Sequence, residues 1–391
     1  MSRSFAAGLA ACVLFAASCR PPATAPHSTS VRASPPVPAV VVVESPPVET
    51  SLDHPDVPNA ADVWLEMVRG ARKSIDLAEF YVSDAPGSHL HAVLEEIQRA
   101  AARGVHVRLL VDETFHAKYP EVPDAWAKTP NMESRRIDLR PGVLHAKYFV
   151  VDGADAYVGS QNFDWRSLDH IFEIGARVRA PHAVATLEKV FQADWDHAAP
   201  GAPAFHLDAA ASEDKQGGAA LLLGASPRAM TPDTLWDLPR LVGWLHQAQS
   251  RLRISVLTYK TKNRDGSDFH DLDEAVREAA ARGVRVQLLV STWGESDPSV
   301  EALATVRGVE VRTFAVPRFS GGDIPFARIA HAKYAVFDEG RAWIGTSNWE
   351  GDYFFHSRNI SLFLEHGAGP GQLARVFEDV WNGPYARPLA R

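Results

Sequence analysis

The hydrophobic residues of this chain follow helical and strand spacings in alternation, and the same order of segments occurs twice. Apolar positions three and four apart predict helices, and short runs rich in β-branched residues predict strands. The first half gives helix, strand, helix and strand over residues 60–72, 73–82, 89–103 and 105–111. The second half repeats this order over residues 234–250, 251–259, 272–282 and 284–290. Alternation of this kind favours an α/β fold.

The two halves share sequence as well as pattern, which indicates an internal duplication. The segment at residues 100–105 recurs at residues 279–284, in each case where a helix ends and a strand begins. A repeat this long exceeds the roughly 20–50 residues of a solenoid unit. We therefore expect two similar α/β lobes, residues 58–200 and 218–391, joined by an Ala- and Gly-rich linker around residues 198–217.

The N-terminal stretch predicts a targeting signal and a tether. Residues 1–18 carry one positive charge and then an apolar run shorter than the roughly 20 residues that span a bilayer, which fits a signal peptide. The end of this run resembles a bacterial lipoprotein box, in which Cys19 is lipidated; the alternative is ordinary cleavage and a secreted protein. The proline-rich residues 19–57 predict a semi-rigid tether, with the fold starting near Asn59. We expect a protein of the bacterial cell envelope, held at the membrane by a lipid anchor.

Composition excludes several classes of site. A formal net charge of −8 is not the basic balance of a duplex-DNA binder, although a local basic groove remains compatible with it. Both cysteines, Cys12 and Cys19, lie at the N-terminus. The predicted lobes therefore contain no disulfide, no thiolate metal ligand and no cysteine nucleophile.

The candidate chemistry lies in a motif that each half contains once. His, Lys, Asp and Asn follow one another at identical spacing in the two copies; they are His145, Lys147, Asp152 and Asn162, then His331, Lys333, Asp338 and Asn348. His and Lys two positions apart on a strand point to the same face. Two copies facing each other would place two imidazoles at one point, among lysines and amides. That set suits an anionic phosphorus centre, with one imidazole attacking and the other protonating the leaving oxygen.

A single His-x-Lys pair on a strand is most simply a surface pair, and the chain contains such a case. His116 and Lys118 have the spacing, but the next carboxylate, Asp124, is out of register and two prolines interrupt the strand. We expect no catalytic part for that pair.

The duplicated motif resembles the paired HxKxxxxD signature of the phospholipase D superfamily, and the likeness extends over residues 59–385. The finer resemblance is to the branch with phospholipases D3 and D4 and the poxviral envelope proteins, and it rests on residues 159–168, 288–299, 324–334 and 345–354. The resemblance implies α-β-α lobes with mixed central sheets that share one active site. It also implies a covalent phosphohistidine intermediate, no metal and no cofactor.

Site roles follow from the resemblance, position by position. His145 and His331 would be the nucleophile and the general acid, with His145 the preferred nucleophile. Lys147 and Lys333, together with Asn162 and Asn348, would hold the phosphoryl oxygens. Asp152 and Asp338 complete the catalytic motif and would fix its geometry and charge. Glu173 would orient a histidine; its counterpart in the second half is Asn359, and this difference could give the histidines unequal roles.

The sequence does not decide whether the substrate is a phospholipid or the 5′ end of a single-stranded nucleic acid. It also leaves both hydrolysis and transfer as possible reactions. Five aromatic residues near the motifs could stack bases, line a lipid pocket or belong to the core; they are Trp293, Trp349, Tyr353, Phe354 and Phe355. A lipid-anchored binding module without turnover and a secreted effector are the alternatives from other classes. The complete motifs disfavour the first, and the lipoprotein box disfavours the second.

Overall fold

The computed structural model describes residues 1–2, 8 and 38–389, and residues 38–389 contain two α/β lobes. Each lobe is built on a mixed sheet with parallel strand pairs on one side and antiparallel pairs on the other, and the second sheet has one further antiparallel strand at its parallel edge. The predicted fold of two duplicated lobes with mixed central sheets is confirmed.

The first lobe contains a seven-stranded sheet in the order β1-β9-β7-β6-β2-β4-β5. Its strands are β1 (Val40–Ser45), β2 (Ser74–Glu79), β4 (His106–Asp112), β5 (Met132–Ile137), β6 (Lys147–Val151), β7 (Asp155–Gly159) and β9 (Glu173–Val178), and β3 (Val82–Ser83) pairs separately with β8 (Phe163–Asp164). The helices are α1 (Ala60–Gly70), α2 (His89–Ala102), α3 (Glu113–His116), α4 (Glu121–Trp126), α5 (Trp165–Asp169) and α6 (Pro181–His197).

The second lobe contains a nine-stranded sheet in the order β10-β11-β17-β16-β15-β12-β13-β14-β18. Its strands are β10 (Asp214–Gln216), β11 (Ala219–Ser226), β12 (Arg251–Val256), β13 (Arg285–Ser291), β14 (Val309–Phe314), β15 (Tyr334–Phe337), β16 (Arg341–Gly345), β17 (Asn359–Glu365) and β18 (Ala386–Pro388). The helices are α7 (Leu238–Gln247), α8 (Asp271–Ala281), α9 (Pro298–Leu303), α10 (Gly351–Phe355) and α11 (Ala368–Asn382), with a 3₁₀ turn at Arg228–Met230.

The fold begins earlier than the predicted tether allows. Residues 40–45 form β1, an edge strand paired antiparallel with β9, and Val42 and Val43 are buried. Pro38 and Pro46 flank this strand without entering it, so the ladder loses no backbone donor. The prediction that residues 19–57 are wholly tether is therefore wrong for residues 38–57.

The predicted linker is also partly built into the fold. Leu207 and Ala209 are buried in the core shared by the lobes, and β10 begins the second sheet at Asp214, before residue 218. The predicted signal peptide, apart from residues 1–2 and 8, and the lipidation site Cys19 lie outside the described residues, so both stay predictions. No helix in the described part of the chain is long and apolar enough to cross a membrane.

The lobes meet over a continuous apolar core and through backbone pairing. That core joins residues of both sheets, including Tyr148 and Val150 from β6 with Val336 and Ile344 from β15 and β16. At its edge, Arg358 of the second lobe forms a fully buried ion pair with Asp194 of α6. The relative position of the two motifs is thus fixed by packing as well as by chain connection.

Candidate active site

The two motif histidines line one cavity of about 430 Å³ between the lobes. His145 comes just before β6 and His331 just before β15, so the antiparallel hairpin of each lobe delivers its histidine to the interface. Both side chains are almost fully buried. The cavity is lined by Phe80, Tyr81, Phe115, Lys118, Tyr119, His145, Asn162, Arg166, Ile171, Leu257, Trp293, Phe326, Ile329, His331, Asn348 and Tyr353.

Each histidine is held by backbone groups of the opposite lobe. The His145 N–H donates to the Arg358 carbonyl at 2.9 Å, and the His331 N–H donates to the Phe172 carbonyl at 2.9 Å. Short bridges at Leu144 with Arg358, and at Phe172 with Ala330, continue this contact. The separation of the two imidazoles therefore depends on docking of the lobes, and neither lobe alone makes a complete site.

The side-chain partners of the histidines also cross the interface, and they differ chemically. Glu173 of β9 accepts from His331 Nδ1 at 2.9 Å, whereas the Asn359 Oδ1 of β17 lies 3.1 Å from His145 Nδ1. The family resemblance implies that Glu173 orients a histidine. The structure identifies that histidine as His331 and shows Asn359 beside His145.

The hydrogen-bond network fixes the tautomer of His145. The Asn359 amide nitrogen donates to the carbonyls of Tyr353 and Ser357, so Oδ1 is the atom turned toward the ring. An amide oxygen can only accept, hence His145 Nδ1 carries the proton and Nε2 retains a lone pair. Burial and the neighbouring charges of Lys147, Lys333 and His331 lower the pKa of His145 well below its usual value, so the ring is neutral. A neutral imidazole with a free Nε2 is a nucleophile.

His331 has a different electrostatic environment. Burial is the main influence and lowers its pKa, but the Glu173 carboxyl group opposes this shift. The carboxyl group favours the imidazolium form, as in other carboxylate–histidine pairs. His331 is thus the better proton donor of the two.

The two lysines are buried, and burial lowers the pKa of both ammonium groups. The pKa of Lys333 falls to about 7, and that of Lys147 falls well below its ordinary value, with a further contribution from the opposing Lys333. Each Nζ donates to the backbone carbonyl of its own motif histidine, at 2.6 Å for Lys333. A bound phosphodiester anion would favour the charged form of both lysines, so the pair is suited to an anionic substrate.

The asparagines of the motifs lie where the sequence predicts. Asn162 and Asn348 line the cavity, and their buried side-chain oxygens have no hydrogen-bond partner. Their amide groups remain available to a ligand. The phosphate-binding part that the sequence predicts for them is compatible with this position and stays a prediction.

The motif aspartates, in contrast, do not line the cavity. Asp152 accepts from the N–H groups of Arg72, Lys73 and Ser74 at the far end of β6. Asp338 accepts in the same way from residues 249–251. Both residues have positive φ, 54° and 53°, as part of the turn after the motif strand. Contact of Asp152 and Asp338 with the reacting atoms is therefore excluded by their position, whereas the predicted part in fixing the geometry of the motif is compatible with it, because each carboxylate anchors the start of the neighbouring strand.

The aromatic residues singled out in the sequence divide between the cavity and the core. Trp293 and Tyr353 line the cavity, and the Tyr353 ring lies 4.7 Å from that of His145. Trp349 and Phe354 are buried in the core of the second lobe, and Phe355 packs against that core. The sequence reasoning missed five further aromatic residues, since their approach to the cavity depends on the segments after β2 and β4 and on the segment between β14 and β15; they are Phe80, Tyr81, Phe115, Tyr119 and Phe326.

Glu79 is a buried carboxyl group near the site that the sequence did not predict. It lies directly opposite Lys147 in the β2–β6 ladder, and one of its oxygens has no hydrogen-bond partner. Burial raises its pKa well above the ordinary value, against the influence of Lys147. The only available signal was a Glu that follows Leu77 and Ala78 at the end of a strand.

The resemblance also implies a site without a metal ion. Among the described residues, no group of three or more His, Cys, Asp or Glu side chains is arranged to hold a metal ion. Two imidazoles line the cavity and two lysines lie beside them, and these four side chains could attack, protonate or bind a phosphodiester. Metal-free chemistry stays a prediction that chelation can test.

The similarity to known proteins extends over both lobes. The family model described as "Cardiolipin synthase, PLD-like domain" matches residues 64–195 and 241–381. Phospholipase D Z of Dictyostelium discoideum is 31% identical over 371 residues, which cover 84% of this chain and 86% of that protein. The human 5'-3' exonuclease PLD3 is 32% identical over 402 residues, covering 89% and 80%. Phosphatidylserine synthase of Haemophilus influenzae Rd KW20 has a similar fold, with a TM-score of 0.59 at 14% identity over 84% of this chain and 85% of that one.

Proposed function

This chain belongs to the phospholipase D superfamily of phosphodiesterases, and on that premise we propose that it cleaves single-stranded nucleic acid from the 5′ end through a covalent phosphohistidine on His145. One observation most directly supports His145 as the nucleophile and His331 as the general acid: Asn359 contacts His145, whereas Glu173 contacts His331. The relatives named 5'-3' exonuclease and the aromatic lining of the cavity support the substrate class.

The proposed reaction has two steps at phosphorus. In the first, His145 Nε2 forms a bond to phosphorus, the bond to the leaving 5′ oxygen breaks, and His331 gives that oxygen its proton. In the second, His331 takes a proton from water, the water oxygen bonds to phosphorus, and the bond to His145 breaks. Lys147, Lys333 and the motif asparagines stabilise the non-bridging oxygens in both steps. The products are a phosphate monoester and an alcohol.

A phospholipid is the second candidate substrate, and the opposite wall of the cavity favours it. That wall contains Ile171, Leu257 and Ile329, which form a small apolar cluster, with Trp293 and Phe326 at the rim. Acyl chains could pack there. An alcohol in place of water would give transfer rather than hydrolysis with either substrate.

A parallel assay tests the proposed function. The purified full chain is given a 5′-hydroxyl single-stranded DNA oligonucleotide and phosphatidylcholine vesicles, each with and without EDTA. We expect stepwise shortening of the DNA that persists in EDTA. Turnover of phosphatidylcholine alone would establish the second candidate, and loss of activity in EDTA would contradict the metal-free mechanism. Turnover of neither substrate by the folded protein would favour a binding module.

The pH dependence of the Glu173→Gln variant tests the role of His331. Removing the carboxylate charge lowers the pKa of His331, so its acidic form is lost at a lower pH. We expect kcat/KM to fall about tenfold or more, and its alkaline limb to move to lower pH. The reciprocal Asn359→Asp variant should raise the pKa of His145 and move the acidic limb to higher pH. Unmoved limbs in both variants would refute the assignment.

The N-terminal features also support a proposal of location. We propose that Cys19, outside the described residues, carries a lipid that attaches the protein to the membrane of a bacterial cell envelope. Mass spectrometry of the detergent-extracted protein would show this as a lipid adduct on an N-terminal Cys19, and an unmodified N-terminus would contradict it.

A further inference from the structure

The two walls of the cavity differ in charge as well as in shape. The wall on the His145 side carries a row of partly exposed aromatic rings, Phe80, Phe115, Tyr81 and Tyr119, each close to the next. This row starts at the catalytic ring, since Phe80 lies 5.1 Å from His145. It therefore runs from His145 to Tyr119, which is adjacent in sequence to the exposed Lys118.

A cation without an ionic partner lies on this row. The Nζ of Lys118 is 5.0 Å from the centre of the Phe115 ring, and its side chain is exposed at the cavity. Within residues 38–389 it has neither a salt bridge nor a side-chain hydrogen bond. The other cation that lines the cavity, the guanidinium of Arg166, is bound by Asp164 on two of its nitrogens and by the Pro325 carbonyl on a third. Lys118 is thus the cation that remains available to a ligand beyond the scissile phosphate.

The corresponding loop of the second lobe has different chemistry. After β4, the first lobe places Phe115, Lys118 and Tyr119 at the cavity, whereas after β13 the second lobe places Trp293 there. The nearest charge in that loop is Glu295, which pairs with Arg387. The wall formed by Ile171, Leu257, Ile329, Trp293 and Phe326 therefore has no cationic side chain. A substrate with several negative charges is favoured only on the His145 side.

We propose that Lys118 binds a second phosphodiester of a single-stranded nucleic-acid substrate, one or two nucleotides from the scissile bond, while the neighbouring aromatic rings stack the intervening bases. The inference rests on the proposed function, because it assumes that a strand enters this cavity. Stacking on aromatic rings is tolerant of sequence, and a lysine on the backbone adds an interaction that depends on salt. A zwitterionic phospholipid has one phosphate and would gain nothing from Lys118.

Kinetics of the Lys118→Gln variant on two substrates test this subsite. One substrate is thymidylyl-(3′→5′)-thymidine, with a single phosphodiester, and the other is the thymidine tetranucleotide. We expect the loss of kcat/KM on the tetranucleotide to exceed the loss on the dinucleotide about fivefold. The slope of log(kcat/KM) against log salt should become shallower by about 0.7 on the tetranucleotide. Lys128→Gln, an exposed lysine outside the cavity, is the matched control and should show neither effect.

A chemical change in the substrate completes the test. Neutral methylphosphonate is placed at the second or at the third linkage of the tetranucleotide; at one of the two it should reproduce the loss in the wild-type protein and add nothing in Lys118→Gln. Equal losses on both substrates, or an unchanged salt slope, would overturn the proposal. If the wild-type protein cleaves neither substrate, the proposed function fails separately. Fluorescence anisotropy of the labelled tetranucleotide then decides, since an affinity that Lys118→Gln leaves unchanged would overturn the subsite.

Discussion

Alanine at His145 or at His331 abolishes most of the turnover, and the two variants fail for different reasons. Without His145 no group remains to form the covalent intermediate, so we expect kcat to fall below detection. Without His331 the leaving oxygen gains no proton, and we expect kcat to fall by about 10²–10⁴-fold. The double variant should be no worse than His145→Ala, because the two residues act in one sequence of steps.

The measurement for these variants is single-turnover cleavage of the DNA oligonucleotide. His246→Ala is the matched control, because that imidazole is exposed and lies outside the cavity between the lobes. Circular dichroism must show that each variant is folded. A folded His145→Ala protein that keeps more than a tenth of the wild-type rate would refute the nucleophile assignment.

Replacing Arg358 by methionine should lower the free energy of unfolding by about 3–5 kcal/mol, because it leaves a buried carboxylate without its partner. Arg358 and Asp194 are both fully buried and are joined by three hydrogen bonds, of which the shorter two are 2.8 and 2.7 Å. Burial raises the pKa of Asp194, and the guanidinium opposes that shift. The same guanidinium donates to the Ser226 carbonyl, so it connects α6 of the first lobe with β11 of the second.

Urea denaturation of four proteins measures this effect. They are the wild type, Arg358→Met, Asp194→Leu and the double variant, which removes both charges. We expect the double variant to be more stable than the sum of the single losses predicts, since no unpaired charge stays buried. Single variants that cost less than about 1 kcal/mol would contradict a structural role for the pair. We also expect weaker activity in Arg358→Met at conditions where it is folded, because the Arg358 backbone holds His145.

The elements and the motifs could be predicted from sequence because both are local properties. The spacing of apolar residues predicts α1, α2 and their counterparts α7 and α8, and identical spacing of His and Lys predicts two equivalent hairpins. Residues 40–43 are apolar enough for a short strand, but the place of β1 in the fold could not be predicted, because a short strand between prolines is stable only beside β9, which is far away in sequence. The function of Asp152 also depends on a distant segment, residues 72–74.

The hydrogen bonds that each motif histidine makes with the opposite lobe could not be predicted from the sequence for the same reason. Glu173 is eleven positions past Asn162 in the first motif region, yet it binds the histidine of the second lobe. Lys118 illustrates the converse case. The sequence predicts no catalytic part for the His116–Lys118 pair, and the structure joins His116 to Asp124 outside the cavity; the position of Lys118 at the cavity wall could not be predicted from its spacing.

Trapping of the covalent intermediate tests the central claim most directly. Thymidine 3′-(p-nitrophenyl phosphate) has a leaving group that needs no general acid, so His331→Ala should still form the intermediate but hydrolyse it slowly. After an alkaline quench, which preserves phosphohistidine, peptide mass spectrometry of His331→Ala should show a thymidine phosphoryl adduct on His145. His145→Ala should show none. An adduct on His331, or equal adducts in the two variants, would contradict the account.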